Sequence, residues 1–420
     1  MLNLPALEDL SIKLRPDRPL PGHRRAATIR WIQLLLYVSL CFSANGNARD
    51  KKIVPKVEPD WSINLKDRYG FEPFDRTISF RWTLYQNVIF ISPERVLVYQ
   101  VNRSHEPVKL GARDASGGVG NFVLDLRVLS TQDGHEIKSM RLPTSAEPSK
   151  VLATHDGKFI LRTGDILYLY SPDFQKLASK SLPLKRQVQE EVWQVSVSPS
   201  GAEIVLAHQQ IFHRNALSPN STVEKASAAI EVLNADTLQT IKTFTLPWFM
   251  QSWSAADRFL LTSNPNPIFS TATFGLLDYN GNWSSLQPDW SLNQACAYQA
   301  EALAHDMFAA FGCGNLSIFP RTGEKIFSVK QQNKEYFGAV FSNESYMGVR
   351  IERRLVKMDN AANIPVAVAQ PLRIDFYWIP NEAPIFSVPV HSKSVYSAVS
   401  SQGALAVVDG ASLQLFNGKH

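Results

Sequence analysis

The chain has 420 residues, of which 45% are hydrophobic and 19% charged, enough apolar content for a large core and too little charge for a disordered protein. Its net charge of +5 sits partly at the N-terminus, where residues 1–48 hold six Lys or Arg (Lys13, Arg15, Arg18, Arg24, Arg25, Arg30) against three acids (Glu8, Asp9, Asp17). Beyond them 37 basic residues meet 35 acidic ones, a near-neutral body that lacks the basic excess nucleic-acid binding draws on.

In chain order, Arg24, Arg25 and Arg30 precede a 14-residue apolar run, residues 31–44, which passes into small and polar residues. Basic region, apolar core and small-residue cleavage site is the order of a secretory signal. The small pairs end at Gly46 (Ala44-Asn45-Gly46) or Ala48 (Gly46-Asn47-Ala48). The run is shorter than the ~20 residues a membrane span needs; uncleaved, it would act as an N-terminal anchor. Residues 38–41 (Val-Ser-Leu-Cys) resemble a lipobox, but Leu40 stands where a small residue is expected before Cys41, which argues against lipidation.

Residues 49–60 form a polar, proline-containing connector, followed by two strand-like pieces, 61–65 and 77–82, without hairpin partners nearby. Residues 149–182 then carry four short apolar runs separated by His155-Asp156-Gly157, Gly164-Asp165 and Ser171-Pro172-Asp173. Asp, Gly and Pro supply the backbone geometry of tight reversals, so this segment predicts a four-stranded antiparallel meander. The pattern recurs with first strands near 87, 149, 193, 251, 294, 337 and 395. Two units carry polar insertions, 209–225 and 353–371. The last supplies only three strands, 395–399, 404–408 and 412–416, before the chain ends.

A single four-stranded sheet cannot bury both faces, but seven such units can cover each other in a ring. The expected fold is all-β: a seven-bladed β-propeller over residues 61–420, built of four-stranded antiparallel blades. Residues 61–65 or 77–82 supply the missing strand of the last blade and remove its free edge. A β-sandwich is the structural alternative. Ser-Pro-Ser-Gly at 198–201 and Thr-His-Asp-Gly at 154–157, each between two apolar strands, resemble the first hairpins of WD40-like and YVTN-type bacterial propellers. The whole is similar to uncharacterised secreted bacterial proteins of this type. That resemblance implies the fold and a binding role, and it transfers no catalytic residue.

Chemistry-bearing motifs are scarce. His155-Asp156 and His305-Asp306 share hairpins, where turn geometry accounts for the pairing. His208 and His213 lack an acidic or Cys companion at zinc spacing and are expected in a solvated loop. Gly117-Gly118-Val119-Gly120 precedes no helical pattern, and no Gly-Lys-Ser phosphate loop or Gly-x-Ser-x-Gly elbow occurs. Eight Trp residues beyond the leader are expected mainly as packing between sheets. Asn102, Asn220, Asn282, Asn315 and Asn343 begin glycosylation-acceptor triplets, relevant in a host that glycosylates. No catalytic, cofactor-binding or metal-binding residue is assigned.

The expected function is therefore an exported, monomeric or weakly associating binding scaffold for a protein, peptide or glycan, secreted or periplasmic, with the two insertions as contact regions. The alternative is a propeller hydrolase or lyase acting on an extracellular polymer. An acid-and-His cluster at one channel mouth would favour the enzyme; a mixed or apolar rim would favour binding. In an oxidising compartment Cys296 and Cys313, which flank the His305-Asp306 turn, are the expected disulfide pair. The mature protein is predicted to begin near Asn47 or Arg49, which N-terminal sequencing of exported material reads directly. An intact Met1 terminus in a cytosolic fraction would remove both the localisation and the argument for the disulfide.

Overall fold

A computed structural model describes residue 55 and residues 57–72, 86–103, 122–144, 150–182, 190–214, 222–250, 253–263, 274–286, 299–312, 315–321, 326–330, 335–359, 364–381 and 383–418, with 164, 249, 344 and 380 excepted. Seven four-stranded antiparallel sheets follow one another as the blades of a propeller. Blades 1 to 6 occupy residues 86–144, 150–181, 190–246, 253–285, 299–330 and 335–389. Blade 7 combines Val395–Val399, Ala404–Asp409 and Ser412–Asn417 with the N-terminal strand Trp61–Asn64. Among the described residues no helix is long and apolar enough to cross a membrane.

Turn chemistry sets the hairpins. His305 and Asp306 both adopt positive φ (58° and 53°), the two left-handed positions of a tight hairpin turn. In blade 2, Asp156 and Gly157 do the same at 57° and 72°. Within the strands the expected alternation often gives way to continuous burial, as along Val96–Val98 and Leu405–Val408, where every residue is 0% exposed. The reason lies in the packing. Among the described residues seven apolar clusters occur, each at the junction of two consecutive blades, so the middle strands of the blades are covered on both faces, while outer strands such as Lys176–Ser181 and Thr240–Leu246 stay largely exposed.

The ring closes at the junction of blades 7 and 1. Trp61–Asn64 pairs with the outermost C-terminal strand, from Trp61 opposite Leu415 to Asn64 opposite Ser412. Of the two pieces expected to close the ring, this is the one that pairs; 77–82 lies outside the described residues. Asn64 caps the short helix Leu65–Tyr69 by accepting from the Lys66 and Asp67 amides at 3.0 and 3.2 Å, and Gly70 ends it at φ 73°. That stub carries the segment onto blade 1. Trp61 Nε1 donates to the Thr131 carbonyl at 2.8 Å, and the Arg127 guanidinium lies 5.1 Å above the Tyr69 ring, a contact of about 0.5–1 kcal/mol. Ile63, Leu65 and Phe71 enter the same apolar cluster as Val88, Val96, Val98 and Leu413.

One expectation changes. Residues 209–225 and 353–371, read as inserted loops, are largely arms of two long hairpins. Glu203–Arg214 pairs with Thr222–Asn234, and Tyr346–Asp359 with Ile364–Trp378. Polar residues mask a strand period that the cross-strand partners preserve, such as Leu355 opposite Val368 and Val356 opposite Ala367. His208 is accordingly buried at 8% exposure rather than solvated, and His213 continues the same strand.

Gly134 reads out the closing contact. Its φ is +71°, and an added Cβ would lie 2.8 Å from Ile63 Cδ1 and 3.0 Å from the Trp61 ring. Gly134→Ala should therefore lower stability by about 1 kcal/mol or more, measured by chemical denaturation. A chain beginning at Tyr85, which lacks the closing strand altogether, should melt well below one beginning at Arg49 and should aggregate. Equal melting temperatures and equal monodispersity for those two chains would refute closure by residues 61–64.

Candidate functional site

The innermost strand of each blade faces a central channel of about 1360 Å³. Every blade contributes to it, through Asn87 and Ile89, Lys150 and Leu152, Ser196, Ser254, Glu301, Ser342, and Ser397 in chain order. One mouth is formed by the turns that follow these strands, with Thr154, His155, Ser198, Ser200, Asp257, His305 and Asp306 among its residues. The two long hairpins turn at the far end of their blades, because antiparallel strands put the first and second turns of a sheet at opposite ends. The inserted residues are thus remote from this mouth.

Below the rim, the charged residues among the described ones that line this space are Lys150 on blade 2 and Glu301 on blade 5. In a ring of seven these blades are three steps apart one way and four the other, as near to diametric as the symmetry allows. Lys150 Nζ donates to the Val195 carbonyl of blade 3 at 2.5 Å. Among the described residues no group donates a hydrogen bond to the Glu301 carboxylate. Both residues are exposed to water in the channel, and partial desolvation by the surrounding walls shifts both. It pushes the Glu301 carboxyl up to about 7, an effect that the opposing Lys150 charge only partly offsets. It pushes Lys150 down, with Glu301 countering the shift and Arg162 adding to it. Desolvation thus disfavours the charged form of each group.

The rim holds the titratable side chains that the sequence singled out, and most of them are engaged. His155 Nδ1 faces the Gly201 carbonyl of blade 3 at 2.8 Å, so this nitrogen carries the proton. Its Nε2 lies 3.1 Å from Asp236 and 3.6 Å from Asp156, a grouping close enough to hold a metal ion. The Lys158 ammonium already ion-pairs with Asp236 and supplies the positive charge there. Desolvation notwithstanding, the hydrogen bond from Lys158 is the leading reason that the Asp236 carboxyl sits below its usual range. These contacts bridge blades 2 and 3. Comparable contacts join three further pairs of blades: Arg95 to Asp173 at 3.2 Å between blades 1 and 2, Ser200 to Asp257 between blades 3 and 4, and Arg321 4.0 Å above Phe259 between blades 5 and 4. Glu203 of blade 3 also accepts from the Tyr279 hydroxyl and the Arg258 amide of blade 4.

Trp61, Trp248, Trp253 and Trp283 pack against interblade clusters, as expected, while Trp378 is 49% exposed. None of them lines the channel, whose aromatic residues are Phe90 and Phe341. Cys296 and Cys313 lie outside the described residues, as does Gly117 to Gly120. The register Gln299 opposite Phe311 fixes the hairpin beside the cysteines. Lys150 and Glu301 went unremarked in the sequence. The available signal was a charged side chain inside an otherwise apolar first strand, in Lys-Val-Leu-Ala and Gln-Ala-Glu-Ala-Leu.

No protein-family model matches the chain, and no curated protein matches it. Solved structures do resemble it. The Pyrococcus horikoshii acylaminoacyl peptidase aligns with 81% of this chain at 10% identity and a TM-score of 0.50, and the chain spans about half of that protein, 52%. Virginiamycin B lyase from Staphylococcus aureus aligns over 84% of this chain and 98% of its own at 12% identity and a TM-score of 0.43. Kluyveromyces lactis Hsv2p aligns over 77% and 89% at 11% identity and a TM-score of 0.41. At such identities the likeness is one of fold. It does not assign the WD40 or YVTN type.

Proposed function

We propose that the protein is an exported propeller that binds a ligand in its central channel, entering by the mouth that His155, Asp257 and His305 surround. The observation that carries this reading is the contrast between rim and channel. On the rim, His155, Asp236, Asp257 and Asp173 each hold a partner in a neighbouring blade, whereas Glu301 inside the channel has no hydrogen-bond donor among the described residues. A water-facing carboxylate that no described side chain holds, and whose charge the channel walls partly desolvate, is available to accept a ligand's N–H donors.

The competing reading, a hydrolase or lyase, draws on the same rim, where Asp156, Asp257 and Asp306 gather with His155 and His305. General acid–base work needs a proton-transfer group free to face the substrate. His155 presents one nitrogen to a carbonyl and the other to Asp236, which favours a fastening role. Of the ligand classes expected from the sequence, a peptide suits the channel better than a glycan, because none of the described side chains that line it is a Trp or Tyr on which a sugar would stack.

Two measurements test the proposal. Saturation-transfer NMR with mixed short peptides and oligosaccharides should show ligand signals for the wild-type protein that vanish in Ser397→Trp, a bulky side chain introduced into the channel wall, with the melting temperature retained. Equal signals from both proteins would sink the channel reading, and turnover of a component would favour the enzyme. The second concerns pH. Because the folded-state pKa of Glu301 is raised from 4.5 to about 7, its contribution to stability is full below about 4.5 and is lost as pH rises through about 7. Wild-type protein should thus lose stability relative to Glu301→Gln between pH 5 and 8; parallel curves would show that the carboxyl is well solvated.

A further inference from the structure

Lys150 and Glu301 do more than mark the channel as a binding site: their arrangement restricts the charge of what binds. The two heads stand on opposing walls, and the wall between them is neutral and polar at Asn87, Ser196, Ser254 and Ser397. They do not neutralise one another by contact, since no ion pair within 4.0 Å joins them among the described residues. Lys150 spends one of its three N–H donors on the Val195 carbonyl and retains two. Glu301 retains its full acceptor capacity.

A ligand with a single charge meets one attractive wall and one repulsive wall. An anion drawn to Lys150 is opposed by Glu301, and a cation drawn to Glu301 is opposed by Lys150. A neutral ligand displaces water from both charged groups and offers neither a counter-charge. A dipolar ligand, with an ammonium at one end and a carboxylate at the other, satisfies both in a single orientation. The size of the space adds a second restriction. At about 1360 Å³ it exceeds the usual range for small-molecule sites, roughly 300–1,000 Å³, so a free amino acid would leave most of it filled with water. A chain of a few residues fills more of it, and its backbone carbonyls face the hydroxyl donors of Ser196 and Ser254, whose oxygens already accept from the Ala255 and Ala302 amides.

We infer that the channel takes a short free peptide with both termini unblocked, its ammonium toward Glu301 and its carboxylate toward Lys150. This rests on the channel reading above and specifies its ligand class.

The test removes ligand charges one at a time. Isothermal titration would compare triglycine, N-acetyl-triglycine, triglycinamide and N-acetyl-triglycinamide. Triglycine should bind best, and each cap should weaken binding about tenfold or more, the scale of losing one charge-assisted hydrogen bond. Glu301→Gln should abolish the penalty for acetylation and leave that for amidation; Lys150→Met should do the reverse. Because Lys150 also tethers blade 3, Lys150→Arg serves as a folded control that keeps the charge and should retain the amidation penalty. Equal affinities for all four peptides would overturn the charge inference and leave the channel site standing. Absence of binding by all four, with channel-dependent NMR signals from other ligands intact, would overturn the peptide assignment alone. Loss of those signals' dependence on Ser397 would remove the site itself.

Discussion

Burial of both faces of every blade is the constraint on which the rest of the molecule depends. A four-stranded sheet with apolar residues on two sides has no solvent face, so it is stable only between two neighbours. Leu97 and Tyr99 of blade 1 pack toward blade 2, while Val96 and Val98 of the same strand pack toward blade 7. Fully burying side chains of this size is worth about 1.5–3 kcal/mol each, and the gain is realised only when both partners are present. A linear row of blades would leave two faces open; closing the row into a ring leaves none.

Closure places an unequal demand on the junction between the last blade and the first. Blades 1 to 6 each take four strands from one stretch of chain, whereas blade 7 borrows its outer strand from residues 61–64. The borrowed strand then continues into blade 1 through the Leu65–Tyr69 helix, Phe71 and the Glu72 carbonyl, which accepts from the wholly buried Gln100 amide at 2.7 Å. Asp60 binds the Asn417 amide at 2.7 Å on the other side. The segment is thus held at three places, on the sheet edge, in the apolar junction and on the outer turn of blade 1. Opening the ring would break all of them together, which makes the junction cooperative rather than a weak seam.

Hairpins and their order were legible from the sequence because turn residues act locally: Asp156-Gly157 and His305-Asp306 reverse the chain whatever surrounds them. The closing strand was legible by count, since blade 7 lacked a fourth strand of its own. The arms of the long hairpins were not, because residues such as Gln209, Gln210 and Lys357 read as loop. Gln209 is in fact completely buried, and it exchanges hydrogen bonds with the Met250 backbone at 2.7 and 3.2 Å. A buried polar side chain whose partners come from the next blade leaves no periodic trace. The channel pair was hidden for a related reason. Whether Lys150 and Glu301 face each other depends on the number of blades and the register of two first strands 151 positions apart, neither of which a local pattern encodes.

The same ring geometry explains why the rim and the channel differ chemically. Turns on the rim lie beside turns of the next blade, at distances where a side chain such as His155, Ser200 or Arg95 reaches a neighbour's carboxylate or carbonyl. Polar groups there find partners at once. Side chains at the channel face project toward an axis from which the walls recede, and the group directly opposite belongs to a blade three positions away. Lys150 reaches the adjacent Val195 carbonyl, and among the described residues none donates a hydrogen bond to Glu301. Short channel side chains such as Ser196 and Ser254 still accept from backbone amides of the next blade, so it is the long charged side chains reaching toward the axis that turn to water, and a ligand entering from solvent takes the place of that water.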